Sequence, residues 1–216
     1  MSGCLAGAAT ADDNEFRSWV DTHGWATNSV TSLWYGQSGV GGSLMAATPT
    51  EWRTTSEAYT WPMIGPLVNI GEYGGTAGPA TFNGMWGRPG PRLDAVLVYA
   101  PKSDTWVAGM DVHSELISNG MLGDGVTISV VANISGNVTS LGTIVLAHTA
   151  DARLDHFNFS ESTLLQAGDT LSVVIGNNGS FLYDHVNFNA WVTAPGPGGL
   201  AVLAGAVALG GRRRRR

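Results

Sequence analysis

Four aromatic side chains that could bind sugars lie among glycine, serine, threonine and proline residues in the first third of the chain. They are Trp34, Tyr35, Trp52 and Trp61. Flat rings stack on the apolar faces of sugars, while an indole N–H or a phenol O–H forms hydrogen bonds with sugar hydroxyls. We therefore predict that these four rings form a ligand-binding face, the alternative being that they fill the core. For the following rings we favour the core or a loop clamp: Trp86, Trp106 and Trp191.

The residue types that catalysis needs form no recognisable pattern. The sequence has no G-x-S-x-G elbow, no H-E-x-x-H pair, no Walker loop and no complete dinucleotide fingerprint. Its single cysteine is Cys4, and no pair among the 17 carboxylates can be singled out for glycoside hydrolysis. The five histidines have no metal-ligand spacing: His23, His113, His148, His156 and His185. We predict a non-catalytic protein, with no catalytic residue.

Apolar and polar residues alternate along several short segments, as expected for half-buried β-strands. In residues 126–134, Val126, Ile128 and Val130 fall on one side, whereas Thr127 and Ser129 fall on the other. Similar segments span residues 95–99, 106–112, 142–146, 154–159, 171–175 and 186–192. Turn signals rich in Gly, Asn and Asp separate them. The pattern predicts an all-β, antiparallel, jelly-roll-like sandwich, with one short helix over residues 14–20.

The charge and the composition of the chain exclude some classes of function and favour others. Five of the 11 basic residues close the chain, which leaves 6 against 17 acidic residues and a net charge of −11 for the rest. Such a body repels phosphate backbones, so we predict no nucleic-acid partner. With 30 glycines, 9 prolines and only 13% charged residues, the composition is typical of a turn-rich extracellular β-protein. We expect residues 12–194 to form one domain.

The last 22 residues have three parts. Pro195, Gly196 and Pro197 are followed by an uncharged run over residues 198–211 and then by a basic cluster: Arg212, Arg213, Arg214, Arg215 and Arg216. A helix of that run reaches about 21 Å at about 1.5 Å per residue, short of the roughly 30 Å hydrocarbon core. Terminal arginines favour a cytoplasmic C-terminus, which places the body outside. The C-terminal helix is thus predicted to contact the membrane.

This arrangement over residues 195–216 resembles the PEP-CTERM sorting tail of bacterial exported proteins, with Gly196 at the position where the family has glutamate. The resemblance implies that an exosortase-like enzyme recognises the tail. It also implies anchoring in the inner membrane in transit, then delivery to the cell surface or extracellular matrix. A plain C-terminal anchor and a surface tail are the alternatives.

An exported protein needs an N-terminal signal. Ala9 and Ala11 fit an A-x-A cleavage site before Asp12, so residues 1–11 are expected to be the remnant of a signal peptide whose start lies upstream. A lipoprotein signal around Cys4 is the alternative.

Residues 82–192 resemble the galactose-binding-like jelly rolls of bacterial surface proteins and polysaccharide-degrading enzymes. The landmarks are FNGMWGRPGP at 82–91, DAVLVYAP at 94–101, GDGVTISV at 123–130, LLQAGDTLSVVIG at 164–176 and YDHVNFNAWV at 183–192. Such modules often hold a structural Ca²⁺, for which strand-end carboxylates are candidates: Asp94, Asp124, Asp169 and Asp184. No D-x-D-x-D loop assigns the site, and no other cofactor is expected.

Together these features predict an exported surface or matrix protein that binds extracellular polysaccharide. The first alternative is a structural or adhesive protein that contacts other proteins without recognising sugar. The second is a polysaccharide-active enzyme.

Overall fold

The computed structural model describes residues 11–54, 62–66, 84–117, 124–147, 152–179 and 185–195. A 3₁₀-helix over Ala11–Asn14 leads into helix α1, Phe16–His23. The strands in the first half are β1 Trp34–Ser38, β2 Ser43–Leu44, β3 Ala46–Ala47, β4 Trp52–Arg53, β5 Met63–Pro66, β6 Met85–Arg88 and β7 Ala95–Tyr99. Those in the second half are β8 Thr105–Leu116, β9 Val126–Ile134, β10 Asn137–Leu146, β11 Arg153–Leu165, β12 Thr170–Asn177 and β13 Val186–Thr193.

The strands form two antiparallel sheets that pack as a sandwich. The six-stranded sheet has the order β10-β9-β12-β7-β1-β2, and the seven-stranded sheet has the order β11-β8-β13-β6-β5-β4-β3. The prediction of an all-β, antiparallel, jelly-roll-like fold is confirmed. The predicted short helix is also present, shifted by two residues at its start, because the 3₁₀-helix occupies the preceding residues.

Alternation along the strands directs side chains into the space between the sheets. On β9, Val126, Ile128, Val130 and Ala132 are buried in the main core, whereas the intervening residues are half-buried. The five residues of β7, which lies between β12 and β1, are all buried: Ala95, Leu97 and Tyr99 in the main core, and Val96 and Val98 on the other side of the sheet. A second apolar cluster therefore lies on the other side of this sheet, around Tyr35, Val96, Val98, Ala100 and Val174.

Helix α1 contributes a short apolar stripe to the core. Phe16, Trp19 and Val20 are buried, at the i, i+3 and i+4 spacing that puts side chains on one helix face. The helix ends at Gly24, whose φ of 72° lies in the left-handed region and whose N–H donates to the carbonyl of Val20. The Phe16 ring then packs among the rings of both sheets.

A carboxylate connects the β9–β10 hairpin to the β11–β12 turn at one end of the sandwich. Asp169 is buried, and its oxygens accept the backbone N–H groups of Ser135 and Gln166, each at 2.8 Å. Ser135 and Gly136 form the tight β9–β10 turn with φ values of 51° and 82°, as expected for a two-residue hairpin loop. Both oxygens of Asp169 are thus engaged by the backbone.

We predict that Asp169→Ala lowers the free energy of unfolding by about 1–3 kcal/mol, because two backbone N–H groups lose their acceptors. Chemical denaturation of the variant and the parent measures the difference. The exposed Asp104 provides the control, since Asp104→Ala is expected to change stability by less than about 0.5 kcal/mol. Equal effects of the two substitutions would contradict the assigned role.

Candidate functional site

The structure places two of the predicted ligand-binding rings in the core. Trp34 and Trp52 have 0% exposed surface, and their indole N–H groups donate to the carbonyls of Asp13 at 2.9 Å and of Trp25 at 3.0 Å. A polymer cannot stack on either ring, so the prediction of a ligand face is wrong for both. The pleat of β1 and β4 turns these rings between the sheets, against Phe16.

The other two predicted rings have different outcomes. Tyr35 follows Trp34 on β1 and therefore points to the opposite side of the sheet, where it joins the second apolar cluster and lines a cleft. Trp61 lies outside the described residues.

Among the described tryptophans, the one with a large exposed surface is Trp106, at 38%. The prediction of a core ring or a loop clamp is therefore wrong for Trp106, which lies within β8, on the opposite side of the strand from the buried Val107. Trp86 is fully buried, and Trp191 is half-buried. The sequence signal for this orientation is the apolar neighbour Val107, because successive side chains on a strand point to opposite sides.

A set of polar side chains lies on the side of the seven-stranded sheet that faces away from the core. Asn187 alternates with the core residues Val186 and Phe188, and its amide donates to the Glu115 carboxylate at 3.2 Å. Both residues are buried, so this contact joins β13 to β8 away from solvent.

His185 and Arg88 belong to the same buried region. The His185 ring lies 5.4 Å from the Trp86 ring, and burial together with the positive charge of Arg88 lowers the pKa of His185 to about 3. His185 is therefore neutral at physiological pH. Glu51 is also buried and lies 3.4 Å from the Arg53 guanidinium. These residue types suit acid–base chemistry, and each of them is buried.

An accessible cleft is formed by loops at one end of the six-stranded sheet. This Tyr35 cleft has a volume of about 430 Å³ and is lined by Val30, Thr31, Tyr35, Ala100, Pro101, Lys102, Ala167, Gly168 and Thr170. The segment before β1, the β7–β8 loop and the β11–β12 turn supply these residues. The cleft combines a phenol, two hydroxyls and one ammonium group with small apolar groups.

Lys102 is the only lysine in the chain, and the loop holds it in place. Its ammonium group donates to the carbonyl of Val30 at 3.3 Å, and burial lowers its pKa. Burial raises the pKa of Tyr35, so that phenol stays neutral and can donate a hydrogen bond. The cleft therefore presents donors of two kinds beside an apolar wall.

A smaller cleft adjoins the first. This Tyr99 cleft has a volume of about 190 Å³ and is lined by Asp13, Leu33, Tyr99, Pro101, Lys102, Ser103 and Thr105. Pro101 and Lys102 line both clefts. The Tyr99 ring meets Trp34 edge-on at 5.0 Å, and burial together with the negative charge of Asp13 raises the pKa of Tyr99 to about 12.

Three of the four candidate calcium ligands lie among the described residues: Asp94, Asp124 and Asp169. Within the described ranges, no group of three or more His, Cys, Asp or Glu side chains could hold a metal ion. Asp169 is engaged by two backbone N–H groups, burial raises the pKa of Asp94, and Asp184 lies outside the described residues. The calcium hypothesis stays untested.

Most residues of the two terminal signals also lie outside the described ranges. These are Ala9, Gly196, Pro197 and Arg212 to Arg216. Ala11 begins the 3₁₀-helix, and Pro195 is buried next to the end of β13. No helix in the described part of the chain is long and apolar enough to cross a membrane.

Comparison with known proteins gives similarities to solved structures alone. No protein-family model matches the sequence, and no curated protein matches it. The Podospora anserina GH26-CBM35 β-(1,4)-mannanase is similar with a TM-score of 0.31 and 16% identity, over 56% of this chain and 24% of that one. Xylanase 10C from Cellvibrio japonicus, in complex with xylopentaose, is similar with a TM-score of 0.37 and 11% identity, over 78% of this chain and 28% of that one. The chain thus spans about a quarter of the length of these proteins.

We predict that Trp52→Ala lowers the free energy of unfolding by about 3–5 kcal/mol, because it opens a cavity in the aromatic core and removes the donor to Trp25. The matched control is Trp106→Ala, which truncates an exposed ring of the same size and is expected to cost at most about 1–2 kcal/mol. Urea denaturation compares the two. A smaller loss for Trp52→Ala than for Trp106→Ala would contradict their placement.

Proposed function

We propose that this protein is a non-catalytic, exported surface or matrix protein that binds extracellular polysaccharide through the Tyr35 cleft. The observation that carries the proposal is the lining of this cleft, where Lys102, Thr31 and Thr170 surround a small apolar wall next to the phenol of Tyr35. Sugars have apolar C–H faces and polar rims of hydroxyls, so their recognition needs both kinds of group.

The size and composition of the cleft support this assignment. Ligand pockets in proteins are typically about 300–1,000 Å³, lined by apolar groups and a few placed polar groups. The Tyr35 cleft falls in this range at about 430 Å³. The wall of the cleft contains the small residues Ala100, Pro101 and Gly168, so an extended polysaccharide chain can enter without displacing large side chains. Loops supply most of the lining, whereas β1, β7 and β12 provide a rigid base.

Binding without catalysis is favoured by the charges at the cleft. Glycoside hydrolysis uses two carboxylates that flank the scissile bond. None of the residues lining the Tyr35 cleft is Asp, Glu or His, and the Tyr99 cleft has one carboxylate, that of Asp13. The buried carboxylates Glu51 and Glu115 belong to the seven-stranded sheet, away from solvent.

Export follows from the tail in this proposal. The Pro195-Gly196-Pro197 segment, the uncharged run and the terminal arginines act together as a signal for an exosortase-like enzyme at the membrane. The short run favours a transient stay in the inner membrane, followed by release to the surface or matrix.

An adhesive protein that contacts other proteins is the second candidate. One observation favours it: large apolar side chains are exposed on the edge strands β10 and β11, at Val138, Val145 and Leu154, in addition to Trp106 on β8. Exposed apolar residues and open strand edges are common features of protein interaction surfaces.

For the polysaccharide function, we predict that Ala167→Trp and Lys102→Gln each weaken retention of the full chain in affinity electrophoresis through immobilised polysaccharides by at least about fivefold. The first substitution fills the cleft, and the second removes its ammonium donor. The matched control is Arg92→Gln, which removes an exposed positive charge outside the cleft. If none of the polysaccharides retains the wild type, and the wild type instead binds another protein through β10, the adhesive candidate is favoured.

For the tail, we predict that Gly196→Glu increases the fraction of chains released to the cell surface in a bacterium that has a sorting enzyme. The change restores the glutamate of the sorting motif, whereas the neighbouring Ala194→Glu adds the same charge outside it. Mass spectrometry of C-terminal peptides in the membrane and surface fractions measures the released share. Equal release of both variants would contradict recognition of this motif.

A further inference from the structure

Strand β10 is a long sheet edge without charges. Among the described strands, four stand at the edges of the two sheets: β2, β3, β10 and β11. Strands β2 and β3 have two residues each, and β11 carries Arg153, Asp155 and Glu161. Strand β10 has ten residues, Asn137–Leu146, and none of them is charged or proline. Short length, charges and prolines protect sheet edges from pairing with another chain, and β10 has none of the three.

The backbone groups on the free side of β10 belong to four residues. In an antiparallel sheet, successive residues direct their N–H and C=O groups alternately to the two sides of the strand. The two-residue turn makes Ile134 and Asn137 the first hydrogen-bonded pair of the β9–β10 ladder. Every second β9 residue therefore turns to β12, and its β10 partner turns to solvent. The β10 residues in this position, all exposed, are Val138, Ser140, Thr143 and Val145.

A β-bulge makes the spacing of these four residues symmetric. The register of β10 against β9 shifts between Ser140 and Gly142, so Leu141 is an extra residue in β10. The outward positions are therefore 138 and 140 before the bulge and 143 and 145 after it. They lie at equal distances from the midpoint between Leu141 and Gly142.

Two copies of β10 complement each other when one is rotated by 180° about this midpoint. The rotation places Val138 of one copy opposite Val145 of the other, and it does so twice. It places Ser140 opposite Thr143 in the same way, and the extra residue of each strand lies opposite that of the other. Outward N–H groups then meet outward C=O groups, and the valines, which are 61% and 51% exposed, gain apolar cross-strand contacts.

The distribution of charge also favours a second copy of this chain as the partner. Outside the terminal arginines the chain is strongly acidic, so two copies repel each other over most of their surfaces. Residues 125–147, which include both strands of the β9–β10 hairpin, contain no charged residue. Two copies therefore meet with the least repulsion at β10.

We propose that this protein forms a homodimer in which β10 pairs with β10 of a second copy, antiparallel and around a two-fold axis between Leu141 and Gly142. The two six-stranded sheets then continue as one sheet. Pairing occupies the β10 edge of both copies, so this association ends at two chains. The inference goes beyond the proposed function and does not rest on it, because no residue of β10 lines the Tyr35 cleft.

The test is a charge exchange between two variants of the full chain. Val138→Lys/Val145→Lys puts lysines opposite each other in the dimer, and Val138→Glu/Val145→Glu puts glutamates there. Sedimentation equilibrium measures the Kd of the dimer for each variant and for their equimolar mixture. We expect like charges to raise the Kd of each variant alone at least about tenfold, and opposite charges to restore the dimer in the mixture. The matched control is Leu154→Lys, at an exposed residue of β11, with an unchanged Kd.

Hydrogen exchange shows whether the contact lies at β10. We expect the backbone N–H groups of Val138, Ser140, Thr143 and Val145 to exchange at least about tenfold more slowly in the wild-type dimer than in the lysine variant. Circular dichroism checks that each variant is folded. If a double variant does not fold, Val138→Lys and Val145→Glu replace the pair, because their mixture again brings Lys opposite Glu.

Three results would overturn the inference. One is a wild type that stays monomeric at about 100 μM or that assembles beyond two copies. Another is a folded lysine variant that dimerises as tightly as the wild type. The third is a mixture of the lysine and glutamate variants that does not associate.

Discussion

An aromatic cluster around Phe16 holds the N-terminal helix and the two sheets together. The Phe16 ring lies 5.6 Å from Trp34, 5.9 Å from Trp52 and 6.3 Å from Phe188, so it joins the N-terminal segment to both sheets. Aromatic rings bury the largest apolar area per residue, and edge-on and tilted pairs add to the stabilisation. In the described body, which contains no cysteine, this packing does what disulfides do in many exported domains.

The same cluster determines where the clefts lie. Burial of Trp34 requires an acceptor for its indole N–H, and the carbonyl of Asp13 supplies it. That hydrogen bond brings the 3₁₀-helix to the end of β7, beside Tyr99 and the Pro101–Lys102 loop. The position of the clefts is therefore a consequence of core packing, since the residues that line them are attached directly to core residues.

Polar side chains are distributed unevenly over the two outer sides of the sandwich. Carboxylates, an imidazole and an amide lie on the seven-stranded sheet, where Glu115, His185 and Asn187 are buried. The outer side of the six-stranded sheet carries buried aliphatic side chains. The hydroxyl and ammonium groups of the Tyr35 cleft lie at one end of this sheet, mostly on loops. Buried charged groups hold strands in one arrangement, whereas loops on a rigid base can present groups to a ligand.

The residue pattern predicts the fold class and most strand positions. Alternation in residues 126–134 and 186–192 predicted β9 and β13 closely, because a period of two places side chains on alternate sides of any strand. Alternation does not show which side of a strand faces the core when both sides carry apolar residues, as at Trp34 and Tyr35. For this reason the prediction put Trp34 and Trp52 on a ligand face instead of in the core. The packing of the two sheets settles the orientation of these rings. Strand pairing joins segments far apart in the chain, and it thereby brings together the cleft residues near positions 13, 35, 100 and 168.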